Sequence, residues 1–213
     1  MMCADFLHLA DDIKIIEESG FDYFHIDIMD GHYVPNLTLG PGYCEKLSLA
    51  SSLPLDIHLM VEDVDCIVPM FTPFKGSNIT FHPETCRHPL RTIDVIRSSG
   101  CRPGIVVDPS QPLEILRHML PSVDLVMLMT VNPGYSGQKL FPGAMDKIAE
   151  FAGYREKMGV DLEIEIDGNV SWENIPGMID AGADTLVVGT SSMFGRIENR
   201  KQDVARLKEM IGR

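Results

Sequence analysis

The 213-residue chain has little of what marks a nucleic-acid or membrane protein. Its 18 Lys and Arg residues stand against 31 Asp and Glu, a formal net charge of -13, whereas nucleic-acid binding is dominated by cations that neutralise phosphates. No nucleic-acid partner is expected. No stretch reaches the ~18 uncharged apolar residues of a membrane span, so no membrane partner is expected either. The N-terminus, Met1-Met2-Cys3-Ala4-Asp5, lacks the basic and then apolar regions of a secretory signal. Cys3, Cys44, Cys66, Cys86 and Cys101 show no CxxC spacing, which points to reduced thiols and a cytoplasmic location. Linkers and low-complexity tracts are absent, and the length suits a single domain over 1–213.

The acidic balance also repels small anions at long range. A phosphate ester would therefore have to be held locally, by backbone N–H groups and helix N-termini. Lysines are missing where a Schiff base would need one: only Lys139 falls in a loop after a strand-like run, so a Schiff-base aldolase is disfavoured.

What is present is a repeated βα rhythm. Short apolar, β-branched runs occur at 23–29, 55–60, 78–82, 103–107, 125–129, 162–167 and 185–188, with a short candidate at 1–3. Helix-like stretches lie between them, at 11–19, 90–99, 112–120, 145–158, 172–181 and 202–211. This alternation predicts an α/β protein, a parallel (β/α)8 barrel with a truncated first strand; a doubly wound sheet fits less well, because the chemical residues sit at the ends of many different strands.

Three runs end in ligand-type residues: Phe24-His25-Ile26-Asp27, Leu55-Asp56-Ile57-His58 and Leu162-Glu163-Ile164-Glu165-Ile166-Asp167. Alternate strand residues share a face, so His25 and Asp27 point the same way. A lone strand-end His or Asp is usually structural. His25, Asp27, His58 and Asp167 at corresponding strand ends instead suggest a divalent metal site for zinc, manganese, iron or cobalt. Asp27 and Asp167, reached from opposite sides of a barrel, are candidate proton-transfer groups, since inverting a carbon needs a base on one face and an acid on the other.

Glycines cluster after the later strand-like runs, at Gly134-Tyr135-Ser136-Gly137, Gly168-Asn169 and Gly189-Thr190. Loops there commonly bind phosphate in barrels. Met29, Met60 and Met129 fall at strand ends as core fillers or as an apolar shield around a carbanion. His82 and Glu84 are candidates for an outer shell or for a surface role; His8, His32, His88 and His118 carry no comparable context.

On the segments 24–36, 56–61, 129–138, 167–169 and 181–184, the chain resembles the ribulose-phosphate 3-epimerases and their relatives acting on D-allulose 6-phosphate. The resemblance implies a metal-dependent ketose-phosphate 3-epimerase inverting C3 through an enediolate. In it His25, Asp27, His58 and Asp167 hold the metal, His58 also contacts substrate, and Asp27 and Asp167 exchange acid and base roles. It implies further that Gly134 to Gly137, Gly168, Asn169, Gly189 and Thr190 hold the phosphate end and that the three methionines wall the reacting carbon. Segments 81–85, 154–157 and 188–191 resemble the hexose branch, so the expected substrate is D-allulose 6-phosphate, giving D-fructose 6-phosphate. D-Ribulose 5-phosphate is the alternative, as is a noncatalytic sugar-phosphate binder. The family's first strand carries a Pro-Ser pair whose serine has no counterpart here, which predicts a gap beside the segment at 23–29. A homo-oligomer, dimer or hexamer, is also implied.

Overall fold

The computed structural model describes residues 1–194 and 199–212. Seven parallel strands run in chain order: β1 (Phe24–Met29), β2 (Leu55–Met60), β3 (Asn78–Phe81), β4 (Arg102–Val107), β5 (Leu125–Met129), β6 (Glu163–Asp167) and β7 (Thr185–Leu186). Each pairs with its sequence neighbours, and the sheet curls into an open barrel. Around it lie α1 (Leu9–Glu18), α2 (Pro41–Ala50), the single turn α3 (Val64–Ile67), α4 (Pro89–Ser98), α5 (Ala144–Met158), α6 (Ile175–Asp180) and α7 (Arg200–Met210).

Burial follows the two periodicities. Helices present residues three apart to the sheet: Ile13 and Ile16 from α1, Cys44 and Leu47 from α2, Ile93 and Ile96 from α4, Ile148 and Phe151 from α5, Ile175 and Met178 from α6, Val204 and Leu207 from α7. The outward strand positions, such as Phe24, Ile26, Ile57, Ile79, Ile105, Val126 and Ile164, complete this shell. The inward positions are left for chemistry.

Two expectations change. The stretch 112–120 forms no α-helix but two 3₁₀ turns, Leu113–Leu116 and Leu120–Ser122; Pro112 and Pro121 bracket it, and a proline disfavours α geometry in the residue before it. In the opposite sense, α2 forms where no amphipathic stretch is apparent, opened by Pro41 and burying little beyond Cys44 and Leu47.

Residues 1–3 form no strand, and no pairing joins β1 to β7 among the described residues. The barrel therefore has an open seam, as the short first segment predicts. The Met1 ammonium stands in it and donates a hydrogen bond to the His25 carbonyl at 2.5 Å. Below lies a groove of about 660 Å³, lined by apolar groups such as Ile16, Phe24, Val188 and Leu207 and reaching inward to His25, Asp56 and Glu165. All five cysteines are free thiols, and no helix is long and apolar enough to cross a membrane among the described residues.

Candidate active site

The strand register stacks the inward side chains into layers. In β1 and β2, Asp27 lies opposite His58, His25 opposite Asp56 and Met29 opposite Met60; across the barrel Met129 lies opposite Asp167. At the N-terminal end of the barrel the Arg102 guanidinium donates to Glu163 at 2.6 Å, Tyr23 at 2.9 Å and Asn78 at 3.2 Å. Along β1 and β2 the His25–Asp56 pair comes first, then Asp27–His58, then Met29–Met60, while along β6 Glu165 precedes Asp167. Branched aliphatics fill most barrels of this kind. Here one wall is a polar column.

Within that column the hydrogen bonds define which nitrogen faces the site. His25 Nδ1 donates to the buried Asp56 carboxylate at 2.6 Å, which also accepts from the Asn78 amide at 3.2 Å. His25 Nε2 is then left without a hydrogen bond, 3.4 Å from Asp27 Oδ1 and 3.9 Å from Asp167 Oδ2. His58 Nδ1 is likewise buried and without a hydrogen bond, 3.6 Å from the same two oxygens. Two orphaned imidazole nitrogens and two carboxylates thus meet within 4.8 Å of one another. That donor set fits a divalent cation, and the Asp56–His25 pair has the form of a carboxylate that orients a metal-binding imidazole.

The electrostatics agree with a site built around positive charge. Burial works against charge at every group, yet Asp27 and Asp56 outweigh it at His25 and hold the imidazole pKa well above its usual value. In return His25 and His58 hold Asp27 well below the usual carboxylate range. Glu165 goes the other way: burial and the adjacent Asp56 push it far up, so it stays a neutral acid and donates to Asp56.

The expected phosphate loops come together over the same layer. A cavity of about 100 Å³ is lined by Asp27, Asp167, the three methionines, Gly134 to Gly137, Gly168, Asn169, Gly189 and Thr190. Gly168 has φ +120°, and a Cβ there would stand 2.6 Å from Val131 Cγ2 and 2.9 Å from the Val131 nitrogen. Only glycine fits. Gly134 has φ +116° and accepts from the Asn36 amide at 2.9 Å; Asn169, also left-handed at φ +45°, donates to the Gln138 carbonyl. Tyr135 is largely exposed at the rim. His58 is fully buried and does not line the cavity.

Sequence reasoning assigned no role to Asp56, Glu165, Tyr33, Asn36 or Asp108. Asp56 and Glu165 had a signal, since each lies two residues before a candidate ligand and so shares its face. Tyr33, Asn36 and Asp108 lie in loops, where no periodicity reports direction.

With this geometry in place, comparison with known proteins is decisive. The profile of the ribulose-phosphate 3 epimerase family matches residues 1–194. The chain belongs to that family. Among its relatives, ribulose-phosphate 3-epimerase 1 of Cupriavidus necator is 45% identical over 199 residues, 92% of this chain and 82% of that protein. The ribulose-phosphate 3-epimerase of Bacillus subtilis is 42% identical over 202 residues, 94% and 93% of the two chains. That of Escherichia coli K12 is 41% identical, covering 94% and 89%. In overall shape the epimerase chain is similar to a tryptophan synthase α-subunit of Pyrococcus furiosus, TM-score 0.67 at 16% identity over 99% and 94% of the chains. It is also similar to a thiamine phosphate pyrophosphorylase of that organism, TM-score 0.62 at 12% identity over 95% and 89%. These two share the fold.

The relatives' names favour the pentose alternative over the expected hexose preference. Residues 154–157, one of its supports, lie on α5, where Tyr154 packs on Phe151 and Arg155 binds Asp184 and the Leu162 carbonyl outside the barrel. Such a segment cannot sense sugar length. His82, from the segment 81–85, is buried behind His58.

Proposed function

We propose that the chain is a metal-dependent D-ribulose-5-phosphate 3-epimerase, interconverting D-ribulose 5-phosphate and D-xylulose 5-phosphate through an enediolate. The observation that carries this is the convergence of Asp27 and Asp167, from opposite walls, on the two orphaned imidazole nitrogens beneath a glycine-walled cavity. His25, Asp27, His58 and Asp167 would hold a divalent ion, which supplies polarisation of the C2 carbonyl and charge stabilisation of the enediolate.

The chain's own groups perform the rest. Asp27, kept ionised by the neighbouring histidines, takes the C3 proton on one face, and Asp167 returns a proton on the other; the reverse reaction exchanges the roles. Both aspartates are anchored on strands, so their separation is fixed. Backbone N–H groups around Gly134 to Gly137, Gly168, Asn169, Gly189 and Thr190 hold the phosphate without lysine, in keeping with the acidic chain. Met29, Met60 and Met129, each no more than 5% exposed, keep water from the enediolate. A cytoplasmic location and a homo-oligomer belong to the same reading; exposed Leu7, Leu37 and Leu49 supply apolar surface for the latter.

The test is incubation of the manganese- or zinc-loaded protein with D-ribulose 5-phosphate, and separately with D-allulose 6-phosphate, in deuterated water. D-Xylulose 5-phosphate carrying deuterium at C3 is expected, with the hexose turned over more slowly. No exchange from either phosphate would refute the assignment. The open seam between β1 and β7 favours one second reading, a sugar-phosphate binder without turnover; it predicts a melting temperature raised by D-ribulose 5-phosphate in a protein that exchanges no deuterium.

A further inference from the structure

Beyond the four candidate ligands, one buried cluster has no place in the chemistry above. His82, the residue after β3, is completely buried, and its Nε2 lies 3.0 Å from His58 Nε2 with the two ring planes 26° apart. On its other side His82 Nδ1 meets the Tyr33 hydroxyl at 2.9 Å and Asp108 Oδ1 at 3.2 Å. The Tyr33 hydroxyl in turn reaches Glu84 Oε1 at 2.8 Å and Asp108 Oδ2 at 3.2 Å. Three loops, after β1, β3 and β4, therefore converge behind His58.

The direction of this chain is set at its outer end. Ionised carboxylates only accept, so the single Tyr33 proton must go to Glu84 or Asp108. Burial and the two acids hold the phenol protonated, far above its usual range. The phenol oxygen is then an acceptor, and His82 must carry its proton on Nδ1 to supply it. That leaves His82 Nε2 as a lone pair. At 3.0 Å the facing nitrogen has to be a donor, so His58 carries a proton on Nε2 and its Nδ1 is free to face Asp27 and Asp167. Reversing the chain would point a phenol oxygen without a proton at two carboxylates. The Lys147 ammonium holds the Asp108 loop, donating to the carbonyls of Asp108 at 2.6 Å, Pro109 at 3.1 Å and Gln111 at 2.8 Å.

We propose that His82, held by Tyr33, Glu84 and Asp108, is a positioning residue that commits His58 to the tautomer whose Nδ1 faces the cation site. It rests on the metal reading above for its purpose, though not for its geometry. A ligand imidazole is usually oriented by a carboxylate or carbonyl. His25 follows that pattern through Asp56; His58 is served by a second imidazole, which passes the orientation on from acids at the surface.

Two measurements on the full chain test this. In the metal-free protein with ¹⁵N-labelled histidine, long-range ¹⁵N–¹H correlation is expected to show His82 protonated at Nδ1 and bare at Nε2; a proton on Nε2 overturns the proposal. Manganese and zinc titrations then compare His82→Leu with His82→Gln, melting temperatures being read alongside. His82→Leu, which strands the His58 Nε2–H, is expected to weaken metal binding by about 10–100-fold. His82→Gln, whose amide oxygen can accept that proton, recovers most of the loss. Equal melting-temperature losses in both variants with metal affinity unchanged would mark a merely structural histidine and contradict the proposal. A wild-type protein that binds neither metal would refute the metal site, while the His82 tautomer would still decide the chain of hydrogen bonds.

Discussion

His25 and His58 face the same point from adjacent strands but are braced in different ways. Behind His25 stands a buried carboxylate, Asp56, in direct contact at 2.6 Å and flanked by the neutral acid of Glu165. Behind His58 stands a second imidazole, His82, with the half-buried Asp108 3.2 Å from its far nitrogen and the exposed Glu84 reached through the Tyr33 hydroxyl. The first arrangement places charge inside the protein and relies on pairing to keep it there. The second keeps charge in reach of solvent and transmits only direction. In one site, the same task of presenting a single imidazole nitrogen is performed by a buried ion pair and by a chain of hydrogen bonds.

The largest effect is expected where both imidazoles are touched at once. Asp27→Asn and Asp167→Asn each remove a proposed proton-transfer group, and steady-state kcat is expected to fall by about 10²–10⁴-fold. A variant that loses epimer formation but keeps full C3 exchange would show that its aspartate only returns the proton, which separates the two roles. Asp56→Asn acts on His25 alone. Because it strands a buried partner, it is expected to destabilise the fold by about 3–5 kcal/mol, read as a lowered urea midpoint. The corresponding cut behind His58 in Tyr33→Phe removes one neutral link while Asp108 can still accept from His82, so about 1 kcal/mol is expected. Equal losses for Asp56→Asn and Tyr33→Phe would erase the contrast.

Much of this was legible in the sequence. The period-two alternation in β1, β2 and β6 directs His25, Asp27, His58 and Asp167 inward, and it carries Asp56 and Glu165 with them, because residues two apart share a face. The open seam was legible too, since no strand-like run of ordinary length precedes the segment at 23–29. Tyr33 and Asp108 were not, because they lie in loops whose direction follows from tertiary packing alone. Nor was α2, where the sheet recruits a weakly patterned segment through Cys44 and Leu47. Tertiary context decided both.

Smaller effects concern the cavity's other end. Gly168→Ala places a Cβ against Val131 at a left-handed position, and about 1–3 kcal/mol of stability is expected to be lost, with KM for the sugar phosphate raised more than kcat is lowered. Leu49→Ser, on the exposed face of α2 at 76% exposure, should change stability by less than about 0.5 kcal/mol. A shift of sedimentation coefficient toward a smaller species in that variant would place α2 in a subunit interface.

The most direct test of the site is anomalous diffraction from crystals of the manganese- or zinc-loaded protein. One cation is expected, with His25 Nε2 and His58 Nδ1 at about 2.0–2.2 Å and with Asp27 and Asp167 completing the set. A single cation bound elsewhere, or one held through His25 Nδ1 or His58 Nε2, would contradict it.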